Sequence, residues 1–434
     1  MLFVYNDKKD RKGKVKKRMR SKRLCALILM IAMMICAVPG LADMPVQTEG
    51  ITIPVIDDLE KFEIPDNEAM ALMREMKCGW NLGNTFDAFN GYTAYYSGAE
   101  MESSWVGSKT RKKLIQTLKE AGFGTIRIPV SWHNHVDKNG IINQEWMDRV
   151  KQVASWALES DMYVIVNVHH DNHKRFFYPD EAHYEQSAVY LTNVWTQMAE
   201  AFGEYDDHLI LESLNEPRLV DTPLEWNWSA NNAQCREAAE CINKLNQLFV
   251  DTIRATGGNN ATRYLAVPAY DASPWYACNE QFKLPEDPAD NRIIVEAHAY
   301  TPYNFALNLK STDKDFDLVK SGNKKKEIDS FLNGLYQRFV SKGIPVMMDE
   351  FGALEKDGNL QDRVNFAAYY VAAAAARGIP CVWWDNHCFT GTDSERFGLI
   401  RRGLSEWVYP DIVLAIQKNC LYDREENAEE APAA

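Results

Sequence analysis

Two apolar patterns alternate along residues 67–420. Short continuous apolar runs read as strands buried on both faces: Gly79–Leu82, Gly124–Val130, Tyr163–Val168, Leu209–Leu214, Tyr264–Val267, Ile293–Ala297, Val346–Asp349 and Cys381–Trp384. Helical stretches separate most of them, among them Lys109–Ala121, Glu145–Ser160, Ala188–Phe202, Glu237–Thr256, Lys325–Lys342 and Asp362–Arg377, with a shorter one, Ala69–Lys77, ahead of the first strand. Several stop at Gly or a basic residue just before the next strand, as in Lys119-Glu-Ala-Gly122 and Ala376-Arg-Gly378, a common way to close a helix. Eight strand–helix units in this order predict an α/β fold, a single parallel (β/α)8 TIM barrel. The competing doubly wound open sheet would carry a glycine-rich phosphate turn at its first strand, and this chain has none there.

In such a barrel, functional side chains stand at the C-terminal ends of the strands. The residues that break the apolar runs do so there: Asn81 and Asn84, Arg127, His169, Asn215 and Glu216, His298 and Tyr300, Glu350, and Trp384 with Asp385, from every strand but the fifth. Two glutamates stand out. Glu216 follows Leu209-Ile-Leu-Glu-Ser-Leu-Asn, and Glu350 follows Ile344-Pro-Val-Met-Met-Asp. A carboxylate at the end of a buried strand is costly unless something uses it. Either one alone reads as a helix cap or an ion-paired acid. The two together predict an acid and a nucleophile facing one substrate bond.

The first 42 residues depart from this pattern. Lys8–Arg23 is densely basic, Leu24–Val38 is apolar, and Pro39-Gly-Leu-Ala42 ends in small residues. This predicts a secretory signal peptide, 1–42, cut after Ala42; an uncleaved anchor is the alternative, although a membrane span needs about 20 apolar residues. The protein is therefore expected to be secreted or held at the cell surface. Residues 43–66, with Pro45, Pro54 and Pro65, read as an extended lead-in, and the acidic, Ala/Pro-rich end, 421–434, as a disordered tail.

Charge and cysteine content narrow the partners. The leader carries 11 Lys and Arg against 2 Asp and Glu, a net of +9, so the whole-chain charge of −13 becomes −22 once it is removed. Such a surface repels nucleic acid and anionic membranes and suits a neutral polymer. Seven cysteines remain after the leader, an odd number without CxxC spacing, which indicates neither a disulfide scaffold nor a zinc site. No oligomer signal is visible, so a monomer is expected. The 12 tryptophans and 19 tyrosines fit sugar stacking and core filling equally.

Seven segments taken in order make the reading specific: Gly79-Trp-Asn-Leu-Gly-Asn84, Arg127-Ile-Pro-Val-Ser-Trp132, Asn167-Val-His-His170, Asn215-Glu-Pro217, His298-Ala-Tyr300, Glu350-Phe-Gly352 and Trp383-Trp-Asp-Asn386. This set resembles glycoside hydrolase family 5, and Thr222-Pro-Leu-Glu-Trp226, Ala255-Thr-Gly-Gly-Asn259 and His298-Ala-Tyr-Thr-Pro-Tyr303 resemble its endoglucanase and xyloglucanase branch. The resemblance implies a barrel catalytic domain over 67–420, with Glu216 as acid/base and Glu350 as nucleophile in a retaining mechanism. It implies Arg127 and Tyr300 as donors to Glu350, Asn215 as partner of the sugar 2-hydroxyl, and His169 and His298 as positioning residues. His170 and Asn84 are expected in the substrate site, and Trp384 as a platform under the sugar. Asp171 stands where relatives often carry Glu and is given no role. The charge of Glu350 is expected to raise the pKa of Glu216.

Trp105, Trp226 and Trp228 are candidate stacking residues, whereas Trp80 and Trp132 read as core. His169 to His173 imitates a metal motif, but a retaining mechanism needs no metal or cofactor, and neighbouring residues on a strand point to opposite faces. The substrate implied is a β-1,4-glucan: cellulose-like, xyloglucan or mixed-linkage. The alternatives are a mannanase or xylanase on the same barrel and a non-catalytic glycan-binding protein.

Overall fold

Eight parallel strands close into a barrel: β1 (Cys78–Leu82), β2 (Thr125–Ile128), β3 (Tyr163–Val166), β4 (Leu209–Glu212), β5 (Leu265–Pro268), β6 (Ile293–His298), β7 (Val346–Phe351) and β8 (Cys381–Asp385). The ring is sealed by β1 against β8, with Trp80 opposite Trp383 and Asn81 opposite Trp384. These positions come from a computed structural model that describes residues 45–92, 98–391 and 393–421. The expected leader and nearly all of the acidic tail lie outside the described residues.

Every strand residue is buried. That explains why the strands read as continuous apolar runs: the barrel interior covers one face and helices the other. The main helices are α1 (Glu68–Met76), α2 (Lys112–Glu120), α3 (Gln144–Leu158), α4 (Tyr184–Ala201), α5 (Ala233–Ala255), α6 (Gly322–Arg338), α7 (Leu360–Ala375) and α8 (Pro410–Asn419). Asn67, Asn143 and Asn232 cap α1, α3 and α5 by accepting first-turn amides, each worth about 1 kcal/mol. Gly122 and Gly378 follow α2 and α7 at φ +99° and +71°, a region that side chains disfavour.

The lead-in is not a loose linker. Residues 45–66 contain no helix or strand, yet they are bonded to the last two helices: the Ile56 amide donates to Asn419 Oδ1 at 2.9 Å, Asn419 Nδ2 to Pro54 O at 2.9 Å, and the Thr52 amide to Gln361 Oε1 at 2.8 Å.

Three strands stop two residues earlier than predicted, at Ile128, Val166 and Glu212, and β7 runs two further, to Phe351. At the β2–β3 mouth a side chain replaces the ladder, since Asn167 Oδ1 accepts from the Val130 amide at 3.0 Å. At the other side the β6–β7 register shifts between Ala297 and His298 and sets His298 directly beside Glu350.

Candidate active site

Arg127, on β2 and fully buried, organises the mouth of the barrel. All five of its N–H donors are used. Nε and Nη2 fork onto Glu212 at 2.7 and 2.6 Å, Nη2 also reaches Asn215 Oδ1 at 2.7 Å, and Nη1 reaches Asn81 Oδ1 at 3.1 Å and Glu350 Oε1 at 2.6 Å. Its guanidinium lies among three acids, Glu212, Glu350 and Asp349, which hold it firmly charged against the penalty of burial.

Glu350 lies within β7. Besides Arg127, it accepts from Tyr300 Oη on Oε2 at 2.9 Å. Burial and the charge of Glu350 push the Tyr300 phenol well above its usual range, so it remains a donor. Glu216 sits beyond the end of β4 with its side chain 19% exposed. One oxygen each from Glu216 and Glu350 and a nitrogen of His298 lie within 4.8 Å of one another. This is the short spacing of carboxyl pairs, about 5 Å, that leaves no room for an intervening water. Asn215 gives its oxygen to Arg127, which fixes the amide and leaves its NH2 as donor for a ligand.

The charge balance at Glu216 runs opposite to the sequence expectation. His298 Nδ1 meets Glu216 Oε1 at 2.8 Å. Burial pushes Glu216 up, but the hydrogen bond and charge of His298, helped by Arg218, pull it down to about 2. His298, despite its own burial, is raised to about 9 by Glu350, Asp349 and Glu216. The two shifts run in opposite directions and both favour the proton on the imidazole side of this contact. The expected raising of Glu216 by Glu350 is outweighed by a cation in direct contact.

The two neighbouring histidines correct another expectation. Because β3 ends at Val166, His169 and His170 lie past the strand and do not alternate. Their rings meet edge to face at 4.4 Å. His169 stacks parallel to Trp384 at 5.8 Å, and its Nδ1 meets Asn167 at 3.1 Å. Burial and neighbouring cations hold it neutral, and His170 falls to about 4. His170 Nε2 lies 3.8 Å from Asp87. Ligand-type atoms of Asp87, His169 and His170 converge within 4.8 Å, as do those of Glu212, Glu296 and Asp349. These two sets, with Glu216–His298–Glu350, are the groups among the described residues with metal-ligand spacing.

Trp384 forms a floor near His169, while Trp383 is buried against Phe351 and donates to Phe397 O. A Cβ on Gly83 would lie 2.7 Å from the Trp384 ring, so the glycine makes room for the platform. Trp80 and Trp132 are core, fully buried. Trp105 and Trp226 are exposed at 44% and 57%, and Arg218 covers one face of Trp226 at 4.1 Å. Trp228 is half-buried and donates to Cys235 O.

Asn84 is at φ +58° with its amide held by Asp87; among the described residues no hydrogen bond joins its side chain to either carboxylate. Asp171 is consumed by structure, accepting from the Trp132 amide and Tyr190 Oη and facing His133 Nδ1 at 2.5 Å.

Sequence reasoning missed Arg218, whose Nη1 reaches Glu216 Oε2 at 3.4 Å while its Nε holds Glu225 at 3.2 Å. It also missed the buried acids Glu212, Glu296 and Asp349. Their signal was a lone acid inside two apolar runs, Glu212 and Glu296, and a second acid directly before Glu350.

Comparison with known proteins follows this geometry. A family model described as cellulase (glycosyl hydrolase family 5) matches residues 88–389. Endoglucanase A of Clostridium longisporum is 41% identical over 345 residues, 79% of this chain; the chain spans 64% of that relative's length. A glycoside hydrolase 5 lichenase from Caldicellulosiruptor sp. F32, solved as a mutant with cellotetraose, superposes with a TM-score of 0.82 at 50% identity, over 85% of this chain and all of that one. A broad-specificity endoglucanase from Ruminococcus champanellensis with bound cellotriose gives a TM-score of 0.74 at 40% identity, over 82% of this chain and all of that one.

Proposed function

The chain belongs to the cellulases of glycosyl hydrolase family 5, and from that premise we propose that it is a retaining endo-β-1,4-glucanase with Glu350 as nucleophile and Glu216 as acid/base. The carrying observation is the short Glu216–Glu350 spacing with Glu350 held by two donors and Glu216 by the His298 imidazole. In the first step Glu350 bonds to the anomeric carbon as the glycosidic C–O pair leaves with a proton supplied through Glu216. The Glu350 charge disappears into the ester. In the second step Glu216 takes a proton from water, the water oxygen attacks the anomeric carbon, and Glu350 recovers its electron pair.

The substrate class is a β-1,4-glucan, cellulose-like or mixed-linkage, with xyloglucan as a further member. Support comes from the lichenase and the broad-specificity endoglucanase, solved with cellotetraose and cellotriose. We propose that the chain acts as a monomer outside the cell or at its surface, exported by the basic and apolar leader.

Assays of reducing ends and viscosity on carboxymethyl-cellulose, mixed-linkage glucan, xyloglucan, xylan and mannan test the reading. A rapid viscosity drop on a glucan, with β-anomer appearing first by NMR, is expected. Cleavage of xylan or mannan alone would change the specificity, initial α-anomer would reject the retaining mechanism, and binding without turnover would make the protein a glycan-binding barrel.

Glu216→Ala should slow glucan hydrolysis by roughly 10²- to 10⁴-fold. With an aryl β-cellobioside whose phenol leaves without protonation, the first step should persist and added azide should restore turnover as a β-azide product. Equal losses on polymer and aryl substrate, without azide rescue, would remove Glu216 from the acid/base role.

A further inference from the structure

Beneath the two glutamates lie three buried acids that the mechanism above does not use. Glu212 on β4, Glu296 on β6 and Asp349 on β7 are all fully buried, and one oxygen of each lies within 4.8 Å of the others. Glu212 is accounted for by the Arg127 fork and by Asn167 Nδ2 at 2.7 Å. The other two are not: among the described residues no hydrogen bond reaches any of the four oxygens of Glu296 and Asp349. A buried carboxylate without partners sheds its charge. Glu296 meets this condition, since burial and the surrounding acids push it well above the carboxylate range.

Asp349 differs because two cations flank it. Its Oδ2 lies 3.5 Å from Arg127 Nε, and its Oδ1 lies 3.5 Å from His298 Nε2. Arg127 Nε is already committed to Glu212. His298 Nε2 is buried and, among the described residues, without a hydrogen-bond partner. Two unpartnered groups of opposite charge thus face one another directly under the acid/base.

We propose that Asp349 is a positioning residue for Glu216, acting through His298: its carboxylate meets Nε2 from below and keeps the ring a cation whose Nδ1–H is aimed at the Glu216 oxygen. This rests on the reading of Glu216 as acid/base. Asp349 has a particular place in the cycle. Of the three acids beside His298, Glu350 loses its charge when the glycosyl ester forms, and Glu216 gains and loses a proton. Asp349 is bonded to nothing that reacts. It sustains the proton affinity of the His298–Glu216 pair in the second step, when that pair must take a proton from water and Glu350 no longer helps.

The other charged groups around the imidazole are His169 after β3, Asp271 after β5 and Glu296 on its own strand. Arg218 faces Glu216, and Arg127 faces Asp349. Asp271 and Glu296 are pushed up by burial, and His169 is held neutral. None of them replaces an anion at Nε2.

The test is the pH profile of kcat/KM for Asp349→Asn against the unmutated enzyme on a soluble β-glucan. The alkaline limb reports loss of the shared proton and should fall near pH 9 in the parent, where His298 titrates at about 9. Removing an adjacent anion lowers an imidazole pKa, so the limb should move down by at least about one pH unit in Asp349→Asn. The two profiles should converge below pH 7, because burial raises Asp349 itself to about 7 against the pull of His298 and Arg127. A uniform loss at every pH with an unmoved limb would overturn the proposal.

A second readout needs no variant. In the unmutated protein, ¹⁵N NMR of the His298 ring at pH 8 should show both nitrogens protonated, and a neutral ring would overturn the proposal. Failure of Glu216→Ala to behave as an acid/base variant would instead strike the underlying assignment, leaving the NMR result to judge the Asp349–His298 contact separately.

Discussion

Glu350→Gln is expected to lower turnover on β-glucan by roughly 10⁴- to 10⁶-fold while leaving the fold and oligosaccharide binding intact. An amide oxygen cannot form the glycosyl ester that a carboxylate forms, so the first step has no covalent route. The site should tolerate the change. The new amide keeps one oxygen for the Arg127 Nη1 contact now made at 2.6 Å, and its NH2 can donate to Tyr300 Oη, now 2.9 Å from Oε2. The checks are steady-state hydrolysis, the thermal midpoint and calorimetric titration with cellotetraose. Residual activity within about tenfold of the parent would exclude Glu350 as nucleophile. Lost activity together with lost binding would mean that the substitution disturbed the cleft and not the chemistry alone.

That Glu350 and Glu216 could be picked out at all follows from the architecture. All eight strands were legible because each is buried on both faces and reads as an unbroken apolar run. Polar residues at the mouth stand out against that background, and Arg127, Asn215, His298 and Tyr300 were found in this way. The same double burial hid the acids below. In a strand with both faces covered, alternation does not distinguish a side chain inside the barrel from one under a helix, so Glu212, Glu296 and Asp349 could not be assigned to one layer. His169 and His170 were misread for a related reason: the end of β3 is set by Asn167 capping the Val130 amide, a cross-strand contact. The charge balance at His298 depends on three acids meeting there, Glu216 beyond β4 and Asp349 and Glu350 on β7, and no local segment encodes it. Arg218 lay in plain view after Asn215-Glu-Pro217, but its contact with Glu216 depends on the turn of the following loop.

Arg127→Met should destabilise the protein by about 3–5 kcal/mol at pH 8, a fall in thermal midpoint of about 5 °C for a chain of this size. Methionine fills a similar volume, so the loss is electrostatic: Glu212 loses its forked donor, Glu350 one of its two donors and Asp349 one of its two cations, and all three are buried. Arg127→Lys should fall between parent and Met, because an ammonium supplies charge but cannot fork onto Glu212 while reaching Asn215 and Glu350.

The loss should shrink in acid. A buried carboxyl with a raised folded-state pKa takes up a proton on folding, so its contribution to stability is present at low pH and lost as pH rises through that pKa. Asp349 already stands at about 7 in the parent against an ordinary 3.8, and removing Arg127 raises it further. The window is therefore pH 4 to 7 and above, with the variant closest to the parent near pH 5. Urea unfolding at pH 5 and pH 8 decides it. A Met variant within about 1 kcal/mol of the parent at both pH values would mean that the acids under the active site are already neutral, and that Arg127 serves Glu350 alone.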